Sequence, residues 1–289
     1  TLEHERCTGC CACENICPVE AITMVTDSEG FIFPKVNNEK CVDCGVCSKR
    51  CPVLNPLYLN RKSPECYAVM ANNDIRSTSA FAKIILSRGG VVCGAALNDN
   101  FTVSHIVCED EKLLESIRNT KYMQSEVGYT LKRLLVCLNK GKEVLFCGCP
   151  CQVAGLYAFL GRKKYDNLYT MDLVCHGVPS SKVFNTYVND LYGNGIVKKV
   201  EFRSKEVFGW SSSMTLTLKD GKIIRKKHTE DSFYQAFLNS LSVRKSCSHC
   251  VFSKIPRQGD LTIGDFWGIS KYDKSLNDRI GTSVVLSNN

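Results

Sequence analysis

Cysteines near the start of the chain recur twice with one spacing. The stretch CTGCCACENICP begins at Cys7, and CVDCGVCSKRCP begins at Cys41. Both contain C-x2-C-x2-C-x3-C-P, the run that holds [4Fe–4S] clusters in bacterial two-cluster ferredoxins, where the fourth cysteine of each run binds the other cluster. Aligning the two copies leaves Cys11 opposite Gly45. Cys11 is therefore the surplus cysteine, and we expect it to be a small buried thiol with no ligand role.

The predicted ligands of the two clusters cross between the copies. They are Cys7, Cys10, Cys13 and Cys51 for one cluster, and Cys41, Cys44, Cys47 and Cys17 for the other. Zinc sites and disulfides are the alternatives. Zinc prefers CxxC pairs separated by a longer loop, and disulfides indicate a secreted chain, for which no signal-type segment is present at Thr1. The spacing therefore favours two iron–sulfur clusters.

A second group of cysteines lies further along the chain, where three features stand out. Cys151 follows an apolar strand in GCPCQ, Cys175 ends another in DLVCHGVP, and Cys247 and Cys250 form a C-x2-C in SCSHC. Strand ends position ligands well because the sheet fixes them. Spacing alone leaves zinc open, because CxxC pairs also bind that metal.

The remaining cysteines of this part of the chain have less distinctive surroundings. Cys147 and Cys149 are ambiguous, and Cys149 is a credible substitute for Cys151 as a ligand. Buried structural thiols are expected at the cysteines that lie within apolar strand or helix patterns. These are Cys66, Cys93, Cys108 and Cys137.

The elements that must position these residues alternate between strand and helix. Predicted strands are Cys66–Ala71, Val91–Leu97, Thr102–Val107, Glu143–Phe146 and Leu168–Val174, and predicted helices are Asp74–Arg88, Glu126–Asn139, Val153–Leu160 and Lys182–Leu191. A β-hairpin, Met214–Lys219 and Ile223–Lys227 around Asp220-Gly221, is expected to join the sheet or pack on its edge. The fold class is therefore a small ferredoxin domain followed by an α/β domain with helices on a mixed sheet. We place the domains at 1–58 and 59–289, with a proline-containing linker at 53–64.

Composition and charge limit the possible partners and the compartment. The formal net charge is +8, but residues 1–60 carry five Lys/Arg against eight Asp/Glu, so the cationic surplus lies in the body. Dispersed Lys/Arg and the lack of a recognition motif argue against nucleic acid and suit an anionic, phosphate-bearing cofactor. The longest uncharged run, Val144 to Leu160, is shorter than the about 20 residues of a membrane span. Nineteen cysteines with ferredoxin spacing favour a reducing, oxygen-poor cytoplasm.

Several stretches together resemble the β subunit of coenzyme F420-reducing hydrogenase and its dehydrogenase relatives, including formate dehydrogenase β subunits and hydroxymethyl-chlorophyll reductase. The resemblance covers about Thr1 to Leu286 and is carried by KYMQS (121–125), GCPCQVAGL (148–156), DLVCHGVPS (172–180), SCSHCVF (246–252) and GDLTIGDFWG (259–268). The chain departs from the family at Gly148-Cys149-Pro150-Cys151, where relatives usually have Gly-Thr-Pro-Cys. It also stops soon after GTSVVL, so we expect part of the C-terminal region to be missing.

The resemblance implies an α/β body that binds FAD and one further [4Fe–4S] cluster, with Cys151, Cys175, Cys247 and Cys250 as ligands. It also implies flavin contacts in the loop of Asn119, Lys121, Tyr122 and Ser125, and Gln152 and Asp265 of the matching motifs are further candidates. Lys121 is a candidate to compensate flavin charge, or is a solvated surface lysine. His176 is a candidate proton carrier, or hydrogen-bonds a loop backbone. Asp265 and Trp267 line the pocket, or form a turn with a buried indole.

The implied function is that of an iron–sulfur flavoprotein oxidoreductase. A flavin takes up a hydride and releases electrons singly, which connects two-electron donors to one-electron clusters. The expected order is hydride cofactor or reducible substrate, FAD, body cluster, the two ferredoxin clusters, and then a redox partner protein or ferredoxin. The alternative is a non-catalytic relay subunit of a larger complex that has lost its flavin.

Overall fold

The computed structural model describes residues 3–70, 77–204, 209–210, 213–276 and 281–289. Its N-terminal module consists of two short helices and one antiparallel hairpin. These elements are α1 (Ala12–Ile16), β1 (Ile22–Thr26), β2 (Ile32–Val36) and α2 (Val46–Arg50). Each helix follows one of the cysteine loops, so the module has the ferredoxin-type organisation that the motif repeat predicts.

The backbone repeats where the cysteine motifs repeat. Cys11 and Gly45 precede α1 and α2, and both are left-handed, with φ of 60° and 67°. Gly9 and Asp43, two residues earlier in each loop, are also left-handed, with φ of 66° and 48°. Glycine adopts this region without steric cost, whereas a residue with a Cβ does not. The surplus cysteine therefore occupies a position where its counterpart in the other loop is glycine.

The body begins with alternating strands and helices and ends with two adjacent strands. In chain order the elements are β3 (Glu65–Val69), α3 (Ser77–Ser87), β4 (Val91–Leu97), β5 (Val103–Cys108), α4 (Glu111–Ile117), β6 (Ser125–Glu126), α5 (Thr130–Asn139), β7 (Val144–Gly148), α6 (Pro150–Phe159), β8 (Leu168–Leu173), α7 (Ser181–Tyr192), β9 (Val197–Glu201), β10 (Ser213–Leu218), β11 (Ile223–Lys227), α8 (Ser232–Leu238), β12 (Leu261–Asp265) and β13 (Ser283–Ser287).

The main sheet of the described chain has eight strands in the order β3-β13-β12-β8-β7-β4-β5-β6. Strands β12, β8, β7 and β4 run parallel to one another, whereas β3–β13, β13–β12 and β4–β5 are antiparallel pairs. The expected mixed sheet is therefore confirmed. Because the central strands β7 and β8 are parallel, their carboxyl ends lie at the same edge of the sheet. The cysteines that follow these two strands therefore lie close together.

Alternating side chains of the strands fill two cores. On one face, Val91 and Cys93 of β4 pack with apolar side chains of α5 and α6. On the other, Val92 packs with Ala82 and Ile85 of α3. The alternation follows from the period of two along a strand. Cys11 of the N-terminal module is buried in the α5–α6 core, so the module packs directly on this layer.

The predicted hairpin is confirmed, but its position differs from the expectation. Strands β10 and β11 pair as predicted, and β9 joins β10 to form a separate three-stranded antiparallel sheet. An aromatic core joins this sheet to α7 and α8, with Phe184, Phe202 and Phe233 in mutual contact. The sequence pattern around Asp220-Gly221 predicted that β10 pairs with β11. It did not predict that β9 pairs with the other edge of β10.

Some predicted boundaries and environments differ from the structure. Helix α5 begins at Thr130 rather than Glu126, because Gly128 has φ +52°. The predicted helix 74–88 is present as α3, and its first residues, up to 76, lie outside the described residues. Cys93, Cys108 and Cys137 are buried as predicted, but Cys66 is exposed because β3 is an edge strand. Within the described residues, no helix has the length and apolar character that crossing a membrane requires.

Candidate iron–sulfur and cofactor sites

Thiols of the first cysteine loop lie together with a thiol from the second loop. Burial, together with the neighbouring Cys7 and Cys51, raises the pKa of Cys10 to about 12. Burial also raises the pKa of Cys13, with Cys10 and Cys7 as charged neighbours. Cys51 directly follows α2, at the far end of the second motif. The structure thus brings the four predicted ligands of one cluster into one electrostatic group.

The other predicted set lies nearer the surface. The backbone N–H of Ala21 donates to Cys17 Sγ at 3.2 Å, and Cys44 is exposed. Helices α1 and α2, which follow the two loops, pack against each other. Hydrogen bonds to sulfur and solvent exposure both tune cluster potentials, so two clusters held here would differ in potential.

Five thiols of the body form a second group where β7 and β8 end. Cys149 and Cys151 lie at the start of α6, Cys175 follows β8, and Cys247 ends a 3-10 turn before Cys250. Cys149 Sγ and Cys175 Sγ are 3.8 Å apart. Burial, together with Cys175 and Cys250, raises the pKa of Cys247 to about 11. The sequence-predicted quartet and Cys149 therefore converge, although they come from three distant segments.

Cys151 occupies the centre of this group. Burial raises its pKa, and its charged neighbours are Cys175, Cys250, Cys247 and also Cys10 of the N-terminal module. A Cβ on Gly155, one turn later in α6, would lie 2.8 Å from Cys10 Cβ. The body thiols and one ligand set of the module are therefore neighbours across the contact between module and body.

The donors in this group are cysteine thiols, which bind four-iron cubes and, in four-cysteine sites, zinc. In the part of the chain that the structure describes, no three His, Cys, Asp or Glu side chains are arranged to hold one metal ion. Thiolates around a four-iron cube stand further apart than ligands of one zinc, which is bound at about 2.3 Å by each sulfur. The thiols of this group are candidate ligands of such a cube.

A buried ion pair fixes the segments that carry these thiols. Asp172 of β8 is fully buried, and its Oδ1 accepts from Arg257 Nη2 at 3.1 Å. Its Oδ2 accepts from the backbone N–H groups of Gln258 and Gly259, both at 3.0 Å. Arg257 Nη2 also donates to the Leu173 carbonyl at 2.8 Å. Charge-assisted hydrogen bonds of this kind hold the chain after the C-x2-C against the strand before Cys175.

Two of the predicted flavin contacts are committed to internal hydrogen bonds. Gln152 Oε1 accepts from the Cys149 backbone N–H, and its Nε2 donates to the Ser125 carbonyl, both at 2.9 Å. Ser125 Oγ lies 2.7 Å from His105 Nδ1. Burial lowers the pKa of His105 to about 4, so the ring is neutral at pH 7. Ser125 and Gln152 therefore stabilise the turn into α6, and no local sequence pattern indicated His105 as their partner.

Lys121 caps a helix instead of lying free at the surface. Its Nζ donates to the carbonyls of Arg118 at 2.6 Å and Ser116 at 3.2 Å, at the end of α4. Burial lowers its pKa to about 7. The alternative of a solvated surface lysine is therefore wrong. The Lys121 side chain instead holds the loop that contains Asn119, a residue with a left-handed backbone at φ +69°. A cation at a helix C-terminus complements the helix dipole.

Tyr122 and His176 both pack against the ring of Phe237. The Tyr122 ring packs 4.8 Å from Phe237, and the His176 ring meets Phe237 edge-on at 5.0 Å. His176 Nε2 lies 3.1 Å from the Phe237 carbonyl oxygen and 3.3 Å from Ser240 Oγ. The alternative expectation for His176, a hydrogen bond to backbone, is therefore present.

Asp265 belongs to a polar and aromatic group near the end of β12. Its Oδ2 accepts from Arg203 Nη1 at 2.5 Å, and Trp210 Nε1 donates to its Oδ1 at 3.3 Å. Trp267 stacks on Trp210 with centroids 5.0 Å apart, and it is 61% exposed. The expectation of a buried indole is therefore wrong, because GDFWG carries Trp267 out of the sheet to the surface.

Unpartnered polar atoms lie beside this group. Arg203 Nε and Nη2 and the Tyr234 hydroxyl are buried and have no hydrogen-bond partner within the described part of the chain. The charge of Arg203 also acts on Tyr234. Buried donors are nearly always satisfied in folded proteins, so these atoms are available to a hydrogen-bond partner from outside the described residues. Local sequence reasoning missed Arg203, which has no motif around it.

Comparisons with known proteins agree on both halves of the chain. The family model for the C terminus of the beta subunit of coenzyme F420 hydrogenase/dehydrogenase matches residues 141–289, and that of the 4Fe-4S dicluster domain matches residues 6–55. An F(420)H(2) dehydrogenase subunit of Methanosarcina mazei is 24% identical over 167 residues, which are 52% of this chain and 47% of that protein. The chain thus spans about half the length of this curated relative.

A solved structure shares the fold. A chain of the F420-reducing [NiFe] hydrogenase complex from Methanosarcina barkeri, studied as a xenon derivative, superposes with a TM-score of 0.51 at 17% identity. The match covers 80% of this chain and 77% of that one. At this identity the likeness concerns the fold alone.

Proposed function

Because the chain belongs to the family of coenzyme F420 hydrogenase/dehydrogenase beta subunits, we propose that it is the iron–sulfur electron-transfer subunit of a redox enzyme. In this role it passes electrons between a hydride-carrying cofactor or reducible substrate and a redox partner protein. The 4Fe-4S dicluster module supplies two clusters, and residues 59–289 form the domain that holds a third. The observation that carries the proposal is the contact of Cys10 with the body thiol group at Cys151 and Gly155.

The ligands proposed for the third cluster are Cys151, Cys175, Cys247 and Cys250. In support, Cys151 has the other three as charged neighbours. Cys149 is the remaining thiol, and its backbone N–H is bound by Gln152 at the start of α6. We therefore assign Cys149 to helix capping and Cys151 to the metal.

The order of the clusters follows from these contacts. The body cluster lies next to the set of Cys7, Cys10, Cys13 and Cys51, and the set that includes the exposed Cys44 lies nearer solvent. Clusters held by these thiol sets would carry electrons between the body and the exposed end of the module. The exposed end is where a redox partner such as a ferredoxin or another subunit docks.

We further propose that the body binds FAD, which when bound exchanges a hydride for single electrons. The residues that suit its anionic part are Arg203 and Tyr234, whose buried polar atoms have no partner in the described residues, with Trp267 as an exposed ring to stack on. Asp265 orients Arg203. Ser125 and Gln152 are assigned to stabilising the turn into α6 rather than to flavin contact, because their hydrogen bonds are used within the chain.

Among the remaining candidates, Lys121 holds the loop of Asn119 and Tyr122 in place. Its pKa of about 7, set by burial, lets Nζ take up or release a proton near neutral pH. His176 is held by the Phe237 carbonyl and lies next to the ligand Cys175. We assign Lys121 to positioning of this loop, and we propose both Lys121 and His176 as proton carriers beside the cofactor.

A flavin-free relay subunit is the second candidate. The observation that favours it is that Ser125 and Gln152, two of the side chains expected to face the flavin, form hydrogen bonds within the chain instead. The two functions differ in what reduces the clusters. A relay accepts electrons only from another protein, whereas the flavoprotein accepts them from a hydride donor.

Anaerobic reduction assays separate the two. The purified protein is mixed with F420H2 or NAD(P)H, bleaching of the cluster absorbance is followed, and bound flavin is quantified. The proposal predicts about one FAD per chain, bleaching by one of these donors, and loss of both in Arg203→Met but not in the matched surface variant Arg225→Met. Flavin-free protein that is bleached only by a reduced ferredoxin contradicts the flavoprotein and supports the relay.

A further inference from the structure

Arg244 is a buried cation between the N-terminal module and the body. It precedes the C-x2-C of Cys247 and Cys250, its backbone N–H donates to the Val178 carbonyl at 2.9 Å, and the residue is 2% exposed. The carbon Cζ of its guanidinium lies 4.1 Å from the centroid of Phe33 and 5.4 Å from that of Phe31, both in the module. A body residue is thus inserted into the aromatic face of the module.

Three hydrogen bonds of this guanidinium go to uncharged acceptors. Nε donates to the Cys7 carbonyl at 2.7 Å, Nη1 to Gln124 Oε1 at 2.9 Å, and Nη2 to the Ile32 carbonyl at 2.9 Å. Gln124 in turn donates from Nε2 to the Thr8 carbonyl at 3.1 Å. Among the described residues no carboxylate forms an ion pair with Arg244. Burying an unpaired charge is costly, so a compensating negative charge is expected nearby.

The negative charges that act on Arg244 are those of thiols on both sides of the interface and, after them, that of Asp27. Burial lowers the pKa of Arg244, and the opposing charges are, in order, those of Cys7, Cys151 and Cys247. Cys7 belongs to the module set, and the other two belong to the body set. A cluster with four thiolates is an anion, and each added electron makes it more negative.

We propose that Arg244 is the shared counter-cation of the body cluster and the inner cluster of the module, which stabilises their reduced states and links docking of the module to occupancy of both sites. The proposal rests on the proposed third cluster. It adds a positioning residue that couples two sites through one charge, because the guanidinium touches the Cys7 loop and belongs to the segment that carries Cys247.

The test compares charge with shape. Arg244→Lys keeps the charge and loses most of the hydrogen bonds, whereas Arg244→Met loses both. Gln124→Met removes hydrogen bonds from the same network without changing charge, and Lys245→Met removes an exposed cation, paired with Glu5 at 3.7 Å, from the neighbouring position. Each variant of the full chain is purified anaerobically. Iron per chain is measured, and cluster potentials are determined by redox titration followed by electron paramagnetic resonance.

The proposal predicts that Arg244→Met makes one-electron reduction of a cluster about tenfold less favourable, a shift of about 59 mV to lower potential. Arg244→Lys, Gln124→Met and Lys245→Met are expected to shift it by less than half as much. If Arg244→Met loses iron while Arg244→Lys keeps it, the charge is required for occupancy and the proposal is supported.

Three outcomes overturn the proposal. One is an unchanged potential in Arg244→Met with full iron content. Another is an equal shift in Arg244→Met and Arg244→Lys, and the third is iron loss in both, because shape rather than charge then matters. The proposed function itself is tested by wild-type iron content, so its failure is seen before any variant is compared.

Discussion

Gly155 lies at a close approach between the body and the Cys10 loop of the N-terminal module, and Gly155→Ala tests that contact. The added Cβ would meet Cys10 at three atoms: Cβ at 2.8 Å, Sγ at 3.1 Å and the backbone oxygen at 3.2 Å. Real Cβ atoms do not approach another carbon to 2.8 Å, so either α6 or the Cys10 loop must move. When Cys10 is bonded to iron its side chain cannot rotate away.

The sign of the stability change makes the prediction sharp. In an unhindered helix, Gly→Ala stabilises by about 0.5–1 kcal/mol. Overpacking a filled contact costs about 1–3 kcal/mol. We therefore expect Gly155→Ala to lower the free energy of unfolding by about 1 kcal/mol instead of raising it. The displaced loop also increases the distance between the inner cluster and the body cluster.

The assay is anaerobic thermal unfolding together with iron content and the rate at which electrons added to the body reach the module. Gly141→Ala is the control for a destabilised fold without contact to Cys10: nothing lies within 4 Å of its Cβ position, but its φ of +75° makes any side chain strained there. The control should leave iron and electron transfer unchanged, whereas Gly155→Ala should slow the transfer or release iron. A stabilised Gly155→Ala protein with normal iron and normal transfer would refute the close contact on which the cluster order depends.

Three further predictions follow from single residues. Cys11→Ser should keep both module clusters, whereas Cys10→Ser should lose about four irons per chain; equal iron loss in the two variants would show that the motif register is wrong. Burial lowers the pKa of Lys121 to about 7, so the unfolded state binds the extra proton between that pH and the ordinary lysine value. Stability should therefore rise with pH across this window, and chemical unfolding of Lys121→Met at several pH values should show a smaller rise. Asp172→Asn leaves the buried Arg257 without its carboxylate and should cost about 3–5 kcal/mol; a change below about 1 kcal/mol in unfolding experiments would contradict the anchoring role.

Local patterns predicted those parts of the molecule that depend on neighbouring residues. The motif repeat predicted matching loops, and the left-handed backbone at both Cys11 and Gly45 bears out the alignment that paired them. Strand and helix periodicity predicted the mixed α/β body and most of its elements within a few residues. These features arise from spacing and side-chain type, which can be read directly from one chain.

Non-local features were not predicted, for a physical reason. Cys66 has an apolar strand pattern around it, but its exposure depends on β3 being at the edge of the sheet. Trp267 is large and apolar, yet it stacks at the surface on Trp210, and neither residue indicates the other locally. The contacts of Arg244 with Cys7 and Ile32 join residues more than two hundred positions apart. Such pairings depend on how the module packs on the body.

The central claim is that the body holds a third cluster beside the module, and iron counting tests it most directly. Iron and acid-labile sulfide are quantified per chain in anaerobically reconstituted wild type, Cys175→Ala and the matched buried-thiol variant Cys137→Ala. The account predicts about twelve irons in wild type and in Cys137→Ala, and about eight in Cys175→Ala. About eight irons in all three proteins would contradict it.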